Sequence, residues 1–201
     1  MELDFSTLDS RDVYRWMIAT IVPRPIAWVS TMSAESGATN LAPFSFFQGV
    51  STAPPVLMFV PANKRDGTFK DTLRNVQATK EFVVNMVPAE MAEAMSATSA
   101  MLPHGESEFE RFGVKEIAST QVKPPRVAAS RVAFECQLHT VVRIGEGPGG
   151  SNVVFGRILC AHIDDGVLGA EGLPDAGKLD LIGRMGGDDY CTTRDRFTID
   201  R

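Results

Sequence analysis

The sequence predicts a mainly β domain, a barrel or a sandwich with a few helices at its periphery. Two long segments with alternating apolar residues, at 131–145 and 151–168, are typical of strands. The helical patterns elsewhere are short and irregularly placed, which disfavours the parallel sheet of α/β proteins. The chain has 201 residues and shows neither an internal repeat nor a low-complexity linker. We therefore expect one domain that spans residues 1–201.

The first part of the chain predicts one helix, two strands and a turn. Residues 6–22 begin with capping residues and then carry apolar residues at helical spacing, so a short helix is expected to end before Pro23. A strand is predicted at 25–33 and a turn at 34–40. The continuous apolar run at 54–61, bounded by prolines, predicts a short strand buried on both faces.

The middle of the chain predicts three helices and one strand. Apolar residues at helical spacing predict a helix at 69–77, and the segment 81–87 predicts a strand. A proline in the first turn, followed by small helix formers, predicts a helix at 88–100. A further short helix is expected at 106–113, where Gly113 would end it.

A glycine-rich segment at 145–150 lies between the two long strands. Its Gly145, Gly147 and Gly150 match the G-x-G-x-x-G spacing of dinucleotide-binding loops, which need a strand before them and a helix after them. Here a predicted strand follows, and Pro148 lies within the segment. A hairpin turn is therefore the favoured interpretation.

Charge and cysteine content bear on partners and location. The net charge of −5, from 25 acidic and 20 basic residues, disfavours binding to nucleic acid and to anionic membranes. The N-terminus is unlike a signal peptide, and the apolar stretches are far shorter than the roughly 20 residues that span a bilayer. The three widely spaced cysteines do not suggest a disulfide framework. We expect a cytoplasmic protein.

The residue types that ligate metals or catalyse reactions form no complete set in the sequence. Cys136 and His139 lie an odd number of positions apart on a predicted strand, so their side chains point to opposite faces and no metal site is expected. His162 and Asp164 share a face, and a surface pair is the favoured interpretation. His104 is expected in a loop. Neither a G-x-S-x-G nor a Walker-type motif occurs, so a cofactor would carry any chemistry.

Two stretches in the first part offer polar groups to a planar ligand that carries a phosphate. In one, Arg24 lies between two prolines, and the following strand ends on the hydroxyls of Ser30 and Thr31. In the other, Asn40 and Ser45 flank a proline in a segment expected to be an apolar loop, whose free backbone N–H groups could face a ligand.

A third stretch, Lys70, Asp71 and Thr72, opens a predicted helix. Helix N-termini favour phosphate through their free N–H groups and the helix dipole. Each stretch also has an ordinary alternative: Arg24 as a surface cation, Lys70 as a solvated side chain, and Asp71 with Thr72 as capping residues.

In this order, the motifs resemble the flavin reductase-like, FMN-binding split-barrel family, particularly its flavoredoxin-like branch. The resemblance covers most of the chain, from about Tyr14 to Tyr190. It rests on PRPIAWVST, NLAPFSFFQGVSTAPP with Gly37 before it, KDTLRNVQATKEFVVNMV, ESEFERFGV, VVFGRIL and LIGRMGGDDY.

The resemblance implies a six-stranded antiparallel Greek-key split β-barrel that forms a homodimer and binds FMN near the dimer interface. It implies that Arg184 and Tyr190 approach the flavin from the partner subunit. Which of Phe44, Phe46 and Phe47 contacts the flavin stays open. The residues expected to bind FMN are Arg24, Ser30, Thr31, Asn40, Leu41, Ala42, Ser45, Phe46, Phe47, Lys70, Asp71, Thr72, Arg184 and Tyr190.

The activity implied by the resemblance is that of a flavin reductase, which transfers hydride from NADH or NADPH to flavin and passes electrons to an oxygenase or an electron-transfer protein. Two alternatives are a flavoredoxin-type electron carrier with FMN permanently bound, and a non-redox split-barrel module that binds a ligand such as heme or F420. No residue of the chain is expected to bind a metal ion.

Overall fold

The structure is a computed structural model that describes residues 1–199, and most of its regular structure is antiparallel β-strand, as predicted. Its helices are α1 (Ser10–Thr20), α2 (Asp71–Thr79), α3 (Ala92–Ala97), α4 (Glu108–Arg111) and α5 (Ala176–Leu179), with 3-10 turns at Phe5–Thr7, Ala89–Met91 and Asp165–Val167. The strands are β1 (Arg24–Pro25), β2 (Ala27–Met32), β3 (Thr39–Phe44), β4 (Phe47–Thr52), β5 (Pro55–Phe59), β6 (Glu81–Met86), β7 (Glu116–Ile117), β8 (Arg126–Val127), β9 (Val132–Ile144), β10 (Ser151–Ile163), β11 (Ile182–Arg184) and β12 (Tyr190–Thr192).

The main sheet is curled into an incompletely closed barrel. Its strand order is β3-β2-β6-β9-β10-β5-β4, with every pair antiparallel. The two edge strands, β3 and β4, are consecutive in the chain, and only Ser45 and Phe46 lie between them. So short a connection reaches about 11 Å, whereas a flat sheet of this width would place its edges roughly 29 Å apart. The barrel is therefore split between β3 and β4, and its sheet has seven strands where six were expected.

Local sequence signals predicted most elements correctly. Helix α1 ends before Pro23, and the helix at α4 is followed by Gly113 with a φ of +65°. The glycine-rich segment 145–150 joins β9 to β10 as a hairpin turn, so the dinucleotide-loop interpretation is excluded. Among the described residues, no helix is both long and apolar enough to cross a membrane.

The segment around Pro43 differs from the prediction. Residues 39–44 were expected as part of a turn and an apolar loop, but they form strand β3. A proline is tolerated there because β3 is an edge strand, where a missing N–H leaves no neighbouring strand unpaired. Phe44 at its end is buried in the barrel and packs against Phe59, with ring centroids 5.2 Å apart.

Strand β2 is buried on both faces and separates two apolar clusters. Val29 faces the cluster inside the barrel, whereas Trp28 faces a second cluster formed with helices α3 and α4. Helix α2 packs Leu73 and Val76 against the first cluster. These contacts hold the N-terminus of α2 beside the edge strand β3, where the candidate site lies.

Candidate functional site

A groove runs along the edge strand β3 and consists of two adjoining hollows that share Pro43 and Ser99. We call them the α2 cleft and the β11 chamber, and the chamber has a volume of about 360 Å³. The α2 cleft is lined by Asn40, Ala42, Pro43, Lys64, Lys70, Asp71, Thr72, Glu108 and residues 98–102. The β11 chamber is lined by Tyr14, Ile26, Pro43, Ser45, Met95, Ser96, Ser99, Arg184, Asp188 and Tyr190.

The N-terminus of α2 opens into the α2 cleft without a side-chain cap. Lys70 occupies the N-cap position, and no side chain accepts a hydrogen bond from the first turn. The backbone N–H groups of Asp71 and Thr72 have no acceptor within residues 1–199. Free N–H groups and the positive end of the helix dipole together favour a bound anion.

Lys70 adds a positive charge at the same place. Its side chain is half-buried, and its Nζ lies 5.5 Å from the centroid of the Phe44 ring. It forms no ion pair with any described carboxylate, whereas the neighbouring Lys64 lies 3.7 Å from Asp71. Burial, and secondarily the charge of Lys64, lowers the pKa of Lys70. A half-buried cation without a counter-ion is unfavourable, so an anion in the cleft would stabilise it.

Asp71 lies among three basic side chains beside the cleft. Its Oδ1 lies 3.7 Å from Lys64 Nζ, 3.7 Å from Arg74 Nη1 and 3.1 Å from Nδ1 of His104, which lies in a loop as predicted. The carboxylate therefore orients cations around the helix N-terminus. The negative charge of the carboxylate would repel a phosphate, so only the backbone N–H group of Asp71 suits an anionic ligand.

A buried polar network fixes β3 to α2 beneath the cleft. The Oδ1 of Asn40 accepts hydrogen bonds from Thr72 at 3.0 Å and from Thr31 at 3.3 Å. Asn75 on α2 donates to the Thr31 hydroxyl at 3.1 Å, and Asn40 donates to Glu108 at 2.6 Å. Thr31 is fully buried and supports Asn40 from behind, so its hydroxyl does not line the groove.

Glu108 is a component of the site that the sequence did not indicate. Its buried carboxylate accepts hydrogen bonds from the Asn40 amide and, at 2.8 Å, from the Leu41 N–H. Burial raises the pKa of Glu108, against the lowering effect of these hydrogen bonds. A glutamate at the start of a short helix looks like an ordinary first-turn acid. Only the fold brings it to a residue 68 positions away.

Arg24 lies behind the β11 chamber and is not free to hold a ligand. Its guanidinium donates to the carbonyl oxygens of Ile18 at 2.7 Å, Ile21 at 2.6 Å and Met185 at 2.9 Å. Its Nε also donates to the Ser45 hydroxyl at 3.3 Å. Arg24 is buried, ties α1 to the strand connection, and positions Ser45 in the chamber. Its expected contact with FMN stays a prediction.

Arg184 and Tyr190 form one wall of the β11 chamber. The Arg184 guanidinium lies 4.5 Å from the Tyr190 ring centroid and pairs with Asp188 at 3.6 Å. Both side chains line the chamber of their own chain. The prediction that they act from a partner subunit stays a prediction.

Four other expected contacts lie away from the groove surface. Ser30 is fully buried, where its hydroxyl donates to the Pro125 carbonyl and accepts from Asn85, so its side chain offers nothing to a ligand. The Leu41 side chain belongs to the second apolar cluster. Phe47 packs against the barrel core, and Phe46 lies beside Tyr14 with ring centroids 6.5 Å apart.

Titratable residues outside the groove differ in part from expectation. Cys136 is buried and His139 is exposed, as their opposite faces predicted. His162 and Asp164 do not pair: the Asp164 carboxylate caps a 3-10 turn, and His162 contacts Glu135 instead. That contact lies across the β9-β10 ladder, which sequence spacing along one strand could not indicate.

Comparison with known proteins shows which proteins this chain is similar to. Residues 19–178 match the family model described as "Flavin reductase like domain". The chain is 41% identical over 190 residues to an uncharacterized protein of Aquifex aeolicus (strain VF5), covering 94% of each chain.

Two solved structures are similar over almost their whole length. Nitrilotriacetate monooxygenase component B from Bacillus cereus has a TM-score of 0.93 and 29% identity, covering 99% of this chain and 98% of that chain. A flavin reductase with a split-barrel domain from Shewanella frigidimarina NCIMB 400, itself described as putative, has a TM-score of 0.82 and 22% identity, covering 100% and 98%. At 22% identity, the similarity to the Shewanella frigidimarina structure shows only that the two proteins share the split-barrel fold.

Proposed function

Because this chain belongs to the flavin reductase-like domain family, we propose that it is an oxidoreductase that binds FMN and oxidises NADH or NADPH. The observation that carries the proposal is Lys70, which pairs with no carboxylate of residues 1–199 and lies at the N-terminus of α2, where no side-chain cap is present, in a groove that continues into the β11 chamber. FMN has a phosphate at one end and a planar ring system at the other. The groove has an anion-binding end and a wider end with an aromatic wall.

The residues of the α2 cleft suit the phosphate end. The N–H groups of Asp71 and Thr72 would donate to phosphate oxygens, and Lys70 would supply a charge-assisted hydrogen bond. Thr72 already donates its hydroxyl to Asn40, which holds the helix N-terminus in place. Asn40, Thr31 and Glu108 then act as positioning residues rather than as direct ligands.

The residues of the β11 chamber suit the ring end. Ser45 offers a hydroxyl, Arg184 a cation, and Tyr190 an aromatic ring beside that cation. Bound FMN would supply the hydride-accepting chemistry. The side chains here would bind and orient the flavin ring and the nicotinamide ring rather than act as acid or base. Hydroxyl, guanidinium and backbone N–H groups are hydrogen-bond donors, and they suit the carbonyl oxygens of the flavin ring and of the nicotinamide amide.

We further propose that the chain is a single-domain homodimer that supplies reduced flavin or electrons to an oxygenase. Component B of a monooxygenase is 29% identical to it, which supports an oxygenase partner over a protein electron donor. Helix α1 supports a dimer, since it has no buried residue and leaves Tyr14 56% and Ile21 52% exposed. A second copy would cover these side chains. A cytoplasmic location stays a prediction.

The test is to measure FMN binding and nicotinamide oxidation on the same purified protein. We expect a flavin absorbance spectrum, or uptake of added FMN, together with oxidation of NADH or NADPH that depends on FMN. Retained FMN without turnover of either nucleotide would support the flavoredoxin-type alternative. A protein that stays colourless after incubation with FMN would refute flavin binding and favour the non-redox alternative.

A further inference from the structure

A second group of ligand-type side chains lies on strands β9 and β10, outside the groove. We call Glu135, Cys160 and His162 the β9-β10 cluster. Glu135 is directly opposite Cys160 in the register of the two strands, and His162 follows two positions along β10, on the same face. Within residues 1–199, these are the residues whose ligand atoms come together in a group of three that could hold a metal ion.

The distances within the cluster are close to those of a metal site. The Nε2 of His162 lies 3.7 Å from the Cys160 Sγ and 2.5 Å from the Glu135 Oε1, and all three ligand atoms lie within 4.8 Å of one another. A tetrahedral zinc ion with bonds of about 2.0–2.3 Å separates its ligand atoms by roughly 3.3–3.6 Å. The observed nitrogen–sulfur distance of 3.7 Å is close to the upper end of this range. The nitrogen–oxygen distance would lengthen by less than about 1 Å, which small side-chain rotations allow.

The charges of the cluster favour a cation. Glu135 is fully buried and forms no ion pair with a described lysine or arginine. Its carboxylate accepts hydrogen bonds from the backbone N–H groups of residues 120–122 and from the Thr120 hydroxyl, and its Oε1 also contacts Nε2 of His162. A buried carboxylate without a lysine or arginine partner would be stabilised by a cation on the side of His162 and Cys160.

The two other ligands are accessible. Cys160 and His162 are half-buried, with 22% of the His162 side chain exposed, so an ion can enter from solvent. Neither residue lines the FMN groove, so this site is independent of the proposed oxidoreductase activity.

We propose that Glu135, Cys160 and His162 bind a zinc ion, with a water molecule as the fourth ligand. A thiolate, an imidazole and one carboxylate form a mixed set that suits zinc, whereas calcium and magnesium prefer oxygen ligands alone. On binding, the Cys160 thiol loses its proton to solvent, and His162 changes to the tautomer protonated at Nδ1, so that Nε2 no longer donates to Glu135 and its lone pair binds the metal. The ion would connect both barrel strands to the 120–122 loop that Glu135 already holds.

The test is equilibrium dialysis of chelator-treated protein against zinc, with the bound metal measured by mass spectrometry. We expect one zinc ion per chain. Because losing even an outer-shell partner costs a site about 10- to 100-fold in affinity, Cys160→Ser and His162→Ala should each weaken binding at least tenfold. Matched controls are Cys191→Ser and His139→Ala, which lie outside the cluster and should leave binding unchanged.

Cobalt provides a second readout that reports the ligand type. In the wild-type protein, cobalt should give the near-ultraviolet charge-transfer absorption of a thiolate bond, and Cys160→Ser should abolish it while circular dichroism shows an intact fold. If His162→Ala fails to fold, the Cys160→Ser measurement decides, since that change only replaces one partly buried sulfur atom by oxygen. Absence of stoichiometric zinc, or binding that neither variant weakens, would overturn the proposal. Both outcomes are independent of whether FMN binds.

Discussion

Replacing Lys70 with methionine should have opposite effects on ligand binding and on the stability of the ligand-free protein. Methionine keeps most of the apolar stem and removes the charged Nζ, which lies 5.5 Å from the centroid of the Phe44 ring. For FMN, the lost charge-assisted phosphate contact should cost about 1.5–3 kcal/mol, which corresponds to roughly a 10- to 150-fold increase in Kd. For the ligand-free protein, the change removes a half-buried cation that forms no described ion pair and should raise the free energy of unfolding.

The pH dependence of this effect follows from the direction of the pKa shift. Since burial lowers the pKa of Lys70 in the folded state, the unfolded chain binds the proton more tightly. The Lys70 contribution therefore destabilises the ligand-free fold below the folded pKa, and this penalty is relieved as pH rises toward the unfolded value. Bound phosphate would reverse the preference, so FMN affinity should fall over the same alkaline range. In the Lys70→Met variant, neither the free energy of unfolding nor the FMN affinity should show this pH dependence.

The assay is titration with FMN followed by flavin fluorescence, beside urea unfolding of the ligand-free protein at several pH values. Lys115→Met, at an exposed position, is the matched control and should change neither quantity. An unchanged Kd for FMN in Lys70→Met would refute the phosphate role of Lys70. A less stable ligand-free variant would contradict the argument that the cation lacks a counter-ion.

Three further predictions concern the scaffold of the groove. In Gly156→Ala, the new Cβ would lie 2.2 Å from Cζ of Phe82, so urea unfolding should show a loss of about 1–3 kcal/mol, whereas Gly49→Ala, with open space around it, should not. Glu108→Ala should lower stability by roughly 2–4 kcal/mol because it leaves two buried N–H donors without acceptors; a neutral result would show that water replaces the carboxylate. Arg24→Lys should lower the melting temperature, since an ammonium cannot reach three carbonyl groups in different directions; an unchanged melting temperature would argue against this tie.

The parts of the site that the sequence could predict are those set by short-range patterns. The start of α2 at Lys70–Asp71–Thr72 and the β9-β10 hairpin follow from residues that are near one another in the chain. Contacts between segments that are distant in the chain could not be predicted from such patterns. Glu108 meets Asn40 only because α4 packs on β3, and no local pattern marks that contact.

Arg24 and Ser30 show why residue type alone does not reveal the contacts of a side chain. An arginine between prolines looks free to bind an anion, yet carbonyl oxygens from residues 18, 21 and 185 surround it. A serine at a strand end looks accessible, yet the chain at Pro125 covers it. In both cases the partner is a backbone carbonyl, which every residue carries and which no sequence motif reveals.

The edge strand β3 also bears on how the protein avoids self-association through its sheet. An open strand edge is a template for another chain, and its danger lies in outward-facing N–H donors that lack acceptors. Here the N–H of Leu41 is occupied by Glu108, and two positions later Pro43 has no N–H to offer. Neither position can therefore donate a backbone hydrogen bond to an incoming strand. The side of the barrel that carries the groove is thereby protected against amyloid-like pairing.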